Sequence, residues 1–296
     1  MIDIAADTEV KTPQDKKRPH ISPSQISMYS RCGEQFRRRY LAKDIVPPGV
    51  ALIKGSAVHK GIETNNEQKM ESWADLPKDD IVEAAVSTVK EKVKNEGLLL
   101  SKEEKEEGQA KVLNRCEQGV KTLAELYSDE LAPKYQPTMV EAEVRIPIPG
   151  LAYDLLGRID LKAIDVSDGQ PKEVGPAAII DYKTSTKKKS EDEFKSSPQF
   201  TSYALADHVI NGVPTSLMRA EILIDKTVPE VQTLELTRNN DDYVALIAQI
   251  AATAKGIQAE VFTPAYGLVG AWYCSPRFCG FWKTCNYVPK YRRDEE

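Results

Sequence analysis

Residues 177–184 constrain the fold more than any other stretch. They read Ala-Ala-Ile-Ile-Asp-Tyr-Lys-Thr, four apolar residues running straight into an acid and a lysine. The apolar run predicts a buried β-strand. On a strand the side chains alternate, so Asp181 and Lys183 share one face and Tyr182 points away. A buried strand ending in charged groups is costly unless they are paired or used. A divalent cation resolves the cost, because Asp181 offers a hard oxygen ligand and Lys183 an ammonium group beside it. Other acid-x-Lys triplets, among them those at Asp15, Glu67, Glu103, Asp160 and Glu193, occur in the chain, but only Asp181 follows a clean apolar run. The plain alternative at this position is a surface salt bridge at a strand end.

A second acid points the same way. Gly157-Arg158-Ile159-Asp160-Leu161 lies on the preceding predicted strand. If the two strands are antiparallel neighbours joined by the loop at 166–175, Asp160 comes beside Asp181. Two converging carboxylates suit Mg²⁺ or Mn²⁺.

The rest of the chain divides by pattern. Residues 1–19 read as a disordered leader. Ser22-Pro23-Ser24-Gln25 opens a helix expected to reach Leu41, with Ser22 as cap and Gln25 three residues later. Pro47-Pro48-Gly49 ends that unit, and a second helix is expected over Ser56–Lys69. Residues 78–132 predict long helices split near Asn95-Glu96-Gly97, with Leu113, Cys116, Val120, Leu123 and Tyr127 as one apolar stripe. Strands follow over 140–148, 152–164 and 177–184, a helix over 191–210, strands over 217–225 and 231–236, and a helix over 241–256. In the 191–210 helix, Gln199 and Tyr203 are four apart and share a face, with Phe200 and Leu205 on the core side. This order suggests an α/β architecture with a helical insertion at 70–135.

Three of the five cysteines crowd near the C-terminus: Cys274, Cys279 and Cys285, amid Trp272, Tyr273, Phe278, Phe281 and Trp282. In a chain without an apolar signal segment, such a cluster reads as metal or iron–sulfur ligation in a reducing compartment. Three ligands leave a tetrahedral site one short, and the fourth is Cys32 or Cys116. Cys116 fits the apolar stripe and reads as a small core residue. The net charge of −5 means that any nucleic-acid site is a local patch. Candidates are Thr184–Ser190 with Lys187, and Arg37-Arg38-Arg39 on the first helix. No run of 18 apolar residues exists, so no membrane span is expected.

Taken together these motifs resemble the PD-(D/E)XK nuclease superfamily, in its RecB-like exonuclease branch. Asp160 followed by Asp181-Tyr182-Lys183 is similar to its namesake motif. Ser22–Ile26 with Tyr29, Cys32 and the run to Tyr40 is similar to the opening helix. Gly55–His59 is similar to the histidine motif, and Gln199-Phe200-Thr201-Ser202-Tyr203 to the Gln-x-x-x-Tyr helix. Asp181 stands where the family often has Glu, an allowed variation.

The resemblance implies a restriction-endonuclease-like mixed β-sheet flanked by helices. It implies one nuclease domain over 20–296, with the 70–135 insertion unmatched and a Cys-rich staple at 271–287. It also implies a Mg²⁺ or Mn²⁺ site formed by His59, Asp160, Asp181 and the Tyr182 backbone carbonyl, with Lys183 catalytic. Gln199 and Tyr203 would support the site or touch DNA, alongside Lys187 and Arg38. Cys32, Cys274, Cys279 and Cys285 would bind a 4Fe–4S cluster, as in the AddB-type and fourth CRISPR-associated families. The Cys274-x4-Cys279 gap is longer than usual there, which keeps Zn²⁺ open as the alternative.

The implied function is DNA hydrolysis, as an exonuclease on single strands or ends. Helicase, recombination or CRISPR-adaptation partners and a cytoplasmic location (the host cytoplasm if virus-encoded) go with it. The competing reading is a non-catalytic, metal-stapled DNA-binding or complex-assembly subunit on the same fold.

Overall fold

The computed structural model describes residues 18–167, 177–212, 215 and 217–293. Residues 1–17 of the expected 1–19 leader and most of the 166–175 loop fall outside the described residues.

A six-stranded mixed sheet forms the centre. Strands β2 (Tyr135–Pro147) and β3 (Asp154–Asp165) make a long antiparallel pair. β4 (Ala177–Ser185) runs antiparallel to β3, and β5 (Met218–Ile224) lies parallel to β4. β6 (Glu230–Leu236) closes that side antiparallel to β5, and the short β1 (His20–Ile21) pairs with the start of β3. The parallel β4–β5 step needs a crossover, supplied by α7 (Asp192–Lys195) and α8 (Pro198–Asn211).

Helices cover both faces. On one, α1 (Pro23–Arg31), α8 and α9 (Asn240–Gln258) pack Ile26, Phe200, Leu205, Leu246 and Ile250 on Ile159, Ile179, Ile222 and Leu236. On the other, α3 (Val50–Ser72), α4 (Lys78–Glu96) and α6 (Gln109–Glu130) pack Ile53, Val58, Ile81, Leu123 and Tyr127 on Leu161, Ile180, Tyr182 and Leu223. Being covered on both faces is why β4 and β5 read as near-continuous apolar runs. Helices α4 and α6, with the short α5 (Lys102–Glu107) between them, occupy the 70–135 stretch. They share the sheet's own core. Cys116 lies in that core, 1% exposed, as its stripe predicts.

Several predicted elements have different bounds. The second helix begins at Val50, directly after Gly49, and reaches Ser72. The 191–210 helix breaks at Ser196-Ser197, because Pro198 takes the first position of a new helix.

The opening helix keeps its predicted start, with Ser22 and Gln25 forming a reciprocal capping box. It does not run through to Leu41. It stops at Arg31, Cys32 turns extended at φ −158°, and α2 (Gly33–Phe36) starts again, followed by a π-helical turn over Arg37–Leu41. Glycine at 33 weakens the helix by only about 1 kcal/mol; a contact with the far end of the chain fixes the break. The Gly33 amide donates to the Thr263 carbonyl at 2.8 Å, and a Cβ on Gly33 would sit 2.7 Å from Phe262 Cα. Only glycine allows that approach. The break points Cys32 toward the C-terminal segment, which carries turns, a short 3₁₀ helix (Trp282–Thr284) and α10 (Lys290–Arg293).

Gly33→Ala is expected to destabilise the chain by about 1–3 kcal/mol through overpacking against backbone. Thermal melting of the variant beside wild type checks this.

Candidate metal centre and four-cysteine pocket

The β3–β4 ladder ends at the pair Leu161↔Ile180. One step further along each strand stand Asp160 and Asp181, where the two backbones no longer pair as a ladder. The Tyr182 amide instead donates to Asp160 Oδ2 at 3.3 Å. The strand also changes sides here. Leu155 and Ile159 pack into the α8–α9 core, whereas Leu161 and Ala163 pack into the α3–α6 core. Asp160 is the hinge of that change. Directly across β2, between the pairs Val140↔Leu161 and Ala142↔Ile159, Glu141 has φ +46°, a left-handed conformation that a glutamate rarely adopts.

His59 reaches the same point from α3. Its Nδ1 lies 3.6 Å from Asp160 Oδ2, and the Tyr182 backbone lies beside its ring. Ligand atoms of His59, Glu141 and Asp160 all fall within 4.8 Å of one another. Asp181 is fully buried. Lys183 Nζ sits 2.5 Å from its Oδ2, and Gln199 Nε2 donates to its Oδ1 at 2.9 Å. Gln199 Nε2 also donates to the Tyr203 hydroxyl at 2.7 Å, so α8 holds the buried carboxylate from below.

The electrostatics favour a cation. Burial, then the nearby Asp181 charge, raises the Asp160 carboxyl well above its ordinary value. Burial, then the Lys183 charge, pushes His59 down, so its imidazole is neutral at pH 7. Two crowded carboxylates beside a neutral imidazole are a donor set that a hard divalent ion satisfies. Glu141 is also raised, by burial against the opposing effect of Arg158, with which it is ion-paired at 2.7 Å.

These groups open into a cleft of about 850 Å³ between α3, α4 and the β2–β3 pair, lined by His59, Glu141, Arg158, Asp160, Lys183 and Thr184. The sequence reading passed over Glu141. It lies in Val-Glu-Ala-Glu-Val, where strict alternation gives Glu141 and Glu143 one outward face. The left-handed turn of the backbone at Glu141 breaks that rule. Lys187 is exposed beyond the end of β4 and does not line the cleft. Arg38 is not at the cleft either. It is ion-paired with Asp44, and its guanidinium lies 4.4 Å over the Phe281 ring.

Arg38 instead helps to line a second cavity, together with Cys32, Cys274, Cys279 and Cys285. None of the four is in a disulfide. Burial, reinforced by the other three sulfurs, pushes the Cys274 thiol up to about 11. A thiol that high resists ionisation until a metal takes the proton's place.

A family model of the PD-(D/E)XK nuclease superfamily matches residues 20–286. The chain belongs to this superfamily. Among solved structures it is similar to a "putative exonuclease" from Eubacterium rectale, at 14% identity over 86% of each chain and a TM-score of 0.54. That likeness shows a shared fold, a restriction-endonuclease-like mixed sheet between helices. No curated protein matches the chain. No helix among the described residues is long and apolar enough to cross a membrane.

The raised Asp160 carboxyl fixes the sign of a pH effect. A divalent ion competes with a proton for this group, so affinity should fall as pH drops through its raised pKa. Mn²⁺ is expected to raise the melting temperature more at pH 8 than at pH 5.5. Asp160→Asn is expected to lose the Mn²⁺ effect and, without metal, to melt above wild type at pH 8. Differential scanning fluorimetry at the two pH values measures both.

Proposed function

We propose that this protein is a Mg²⁺- or Mn²⁺-dependent deoxyribonuclease that hydrolyses phosphodiester bonds as an exonuclease of the RecB-like branch. The observation that carries the reading is the convergence of His59, Glu141 and Asp160 beside the buried Asp181–Lys183 pair, at the mouth of one open cleft. The superfamily match and the exonuclease description of the E. rectale protein support it.

His59, Asp160, Asp181 and the Tyr182 carbonyl would hold the ion, with Glu141 as a further ligand. A bound ion supplies a more acidic water and neutralises charge on the phosphate. The chain's own groups do the rest. Gln199, itself held by the Tyr203 hydroxyl, fixes one oxygen of Asp181, so the carboxylate is oriented before substrate arrives. The Lys183 ammonium neutralises the other oxygen and faces the cleft. There it positions the attacking water and shares the negative charge that grows on the phosphate oxygens. Neutral His59 is a donor that needs no deprotonation at pH 7. Arg158, 64% exposed and tied to Glu141, is placed to meet a backbone phosphate at the rim.

Cys32, Cys274, Cys279 and Cys285 would bind a 4Fe–4S cluster with a structural role. The four thiols line one cavity that suits either group, and the resemblance favours the cluster over Zn²⁺. The cluster would close a loop of more than 240 residues, between Cys32 and Cys274, and restrict the unfolded chain. Single-stranded or end-bearing DNA in the cytoplasm, with recombination, helicase or CRISPR-adaptation partners, is the corresponding setting.

Oligonucleotides labelled at the 5′ or the 3′ end, incubated with Mg²⁺ or Mn²⁺, test the activity. Wild type is expected to release labelled ends, and Lys183→Ala to lose at least about 100-fold in rate while circular dichroism shows it still folded. Equal rates in the two would overturn the assignment. Absence of metal-dependent cleavage by either would favour the non-catalytic DNA-binding or assembly subunit. Protein purified without oxygen is expected to be brown, with absorbance near 400 nm that Cys279→Ser abolishes. A colourless protein with stoichiometric zinc would replace the cluster by Zn²⁺.

A further inference from the structure

Residues 261–293 have a composition unlike the rest of the chain. They hold nine aromatic residues, five Lys or Arg and no acid, in a protein of net charge −5. Acid returns only with Asp294-Glu295-Glu296. Part of this aromatic content is core: Phe281 and Trp282 are buried, with Val288, beside the four-cysteine pocket. The other part is turned outward, with Trp272 68% exposed and Phe278 54%. Their ring centroids are 4.9 Å apart and the planes meet at 86°. Arg277 lies 5.5 Å from the Phe278 centroid, and Arg31, from α1, 5.4 Å from that of Tyr273. Arg277 also feels the charge of Glu103 on α5. Leu268 and Val269 extend the apolar surface.

Large exposed rings flanked by guanidinium groups cost solvation without benefit to the isolated chain. Burying them against an apolar protein face would leave the cations unmatched. Unpaired bases offer flat π-faces for the rings and phosphates for the cations in the same ligand. A duplex keeps its base faces stacked inside, so it cannot use the rings.

The surface also leads toward the cleft. Gly280 packs directly on Val46, Pro47 on Gly97, and Gly49 bridges to Leu99. Helix α3 starts one residue later, and its Ala51 and Leu52 line the cleft wall. Ile45, Leu99 and Leu52 are all exposed along this ridge.

We propose that the outward aromatic face of residues 268–278, with Arg31 and Arg277, is a stacking platform for single-stranded nucleic acid that feeds the cleft. This deepens the nuclease reading and rests on it for the direction of travel, but its binding test does not depend on cleavage.

The test uses the full chain in a Lys183→Ala background and a fluorescein-labelled oligo-dT of about 15 nucleotides. Fluorescence anisotropy gives the affinity, and melting temperature reports on folding. Trp272→Ala/Phe278→Ala is expected to bind at least about tenfold more weakly, since each stacked ring contributes about 1–3 kcal/mol. Trp272→Tyr should retain affinity and Trp272→Leu should not, because leucine restores apolar cover without a π-face. Duplex DNA of equal length should bind with little change between wild type and the double variant. Unchanged oligo-dT affinity in the double variant, or full affinity in Trp272→Leu, would overturn the platform, the second result reassigning the face to a protein partner. If wild type binds through these rings yet never cleaves DNA, the platform stands and the nuclease reading fails. If it cleaves while the double variant binds normally, the reverse holds.

Discussion

The enforced approach of two carboxylates, Asp160 and Asp181, governs this structure. Their strands are paired as far as Leu161 and Ile180, the immediate neighbours of the two acids, and separate where the acids stand. Separation removes backbone hydrogen bonds, and crowding two acids in a buried place lifts the pKa of Asp160. Neither cost is tolerable without compensation. The chain supplies part of it: Gln199 donates to one oxygen of Asp181, the Lys183 ammonium lies beside the other, which accepts no hydrogen bond, and the Tyr182 amide donates to Asp160. What remains is a concave group of oxygen and nitrogen donors facing solvent. Stability is given up where a cation and a phosphate would restore it, as expected for a site under functional constraint.

A second constraint ties the two ends of the chain together. Gly33 against Thr263, the Tyr29 hydroxyl donating to the Val261 carbonyl at 2.5 Å, and Val46 against Gly280 all join the first 50 residues to the last 40. These contacts surround the four thiols. The pocket is therefore held by packing from both sides, and a metal bound there would lock an arrangement that the backbone already specifies. The same segment reaches along the 45–49 loop to the start of the helix that carries His59. The tail thus packs on the loop that leads into that helix.

Most of the architecture was legible in local pattern. Capping chemistry placed the start of α1, the apolar run at Ala177–Ile180 placed β4, and the three-and-four spacing placed the buried face of α6. Failures came where distant residues decide. The opening helix breaks at Cys32 because Phe262 and Thr263 press on Gly33, and a lone glycine does not reveal that partner. Glu141 was hidden because alternation describes a regular strand, and its positive φ departs from one. Arg38 looked like a phosphate contact from its neighbours, yet Asp44 and Phe281 claim it.

Sequence alone determined the types of group available and their order: an acid on one strand, an acid and a lysine on the next, a lone histidine on a helix, and thiols at both ends. Residue identity and local periodicity are chemical facts that need no folding to read. The tertiary structure alone decided which of these groups meet. Convergence depends on where β3 and β4 stop pairing, on the turn of the backbone at Glu141 and on the close approach at Gly33. Each of these is set by contacts between segments more than 15 residues apart, which local pattern does not carry.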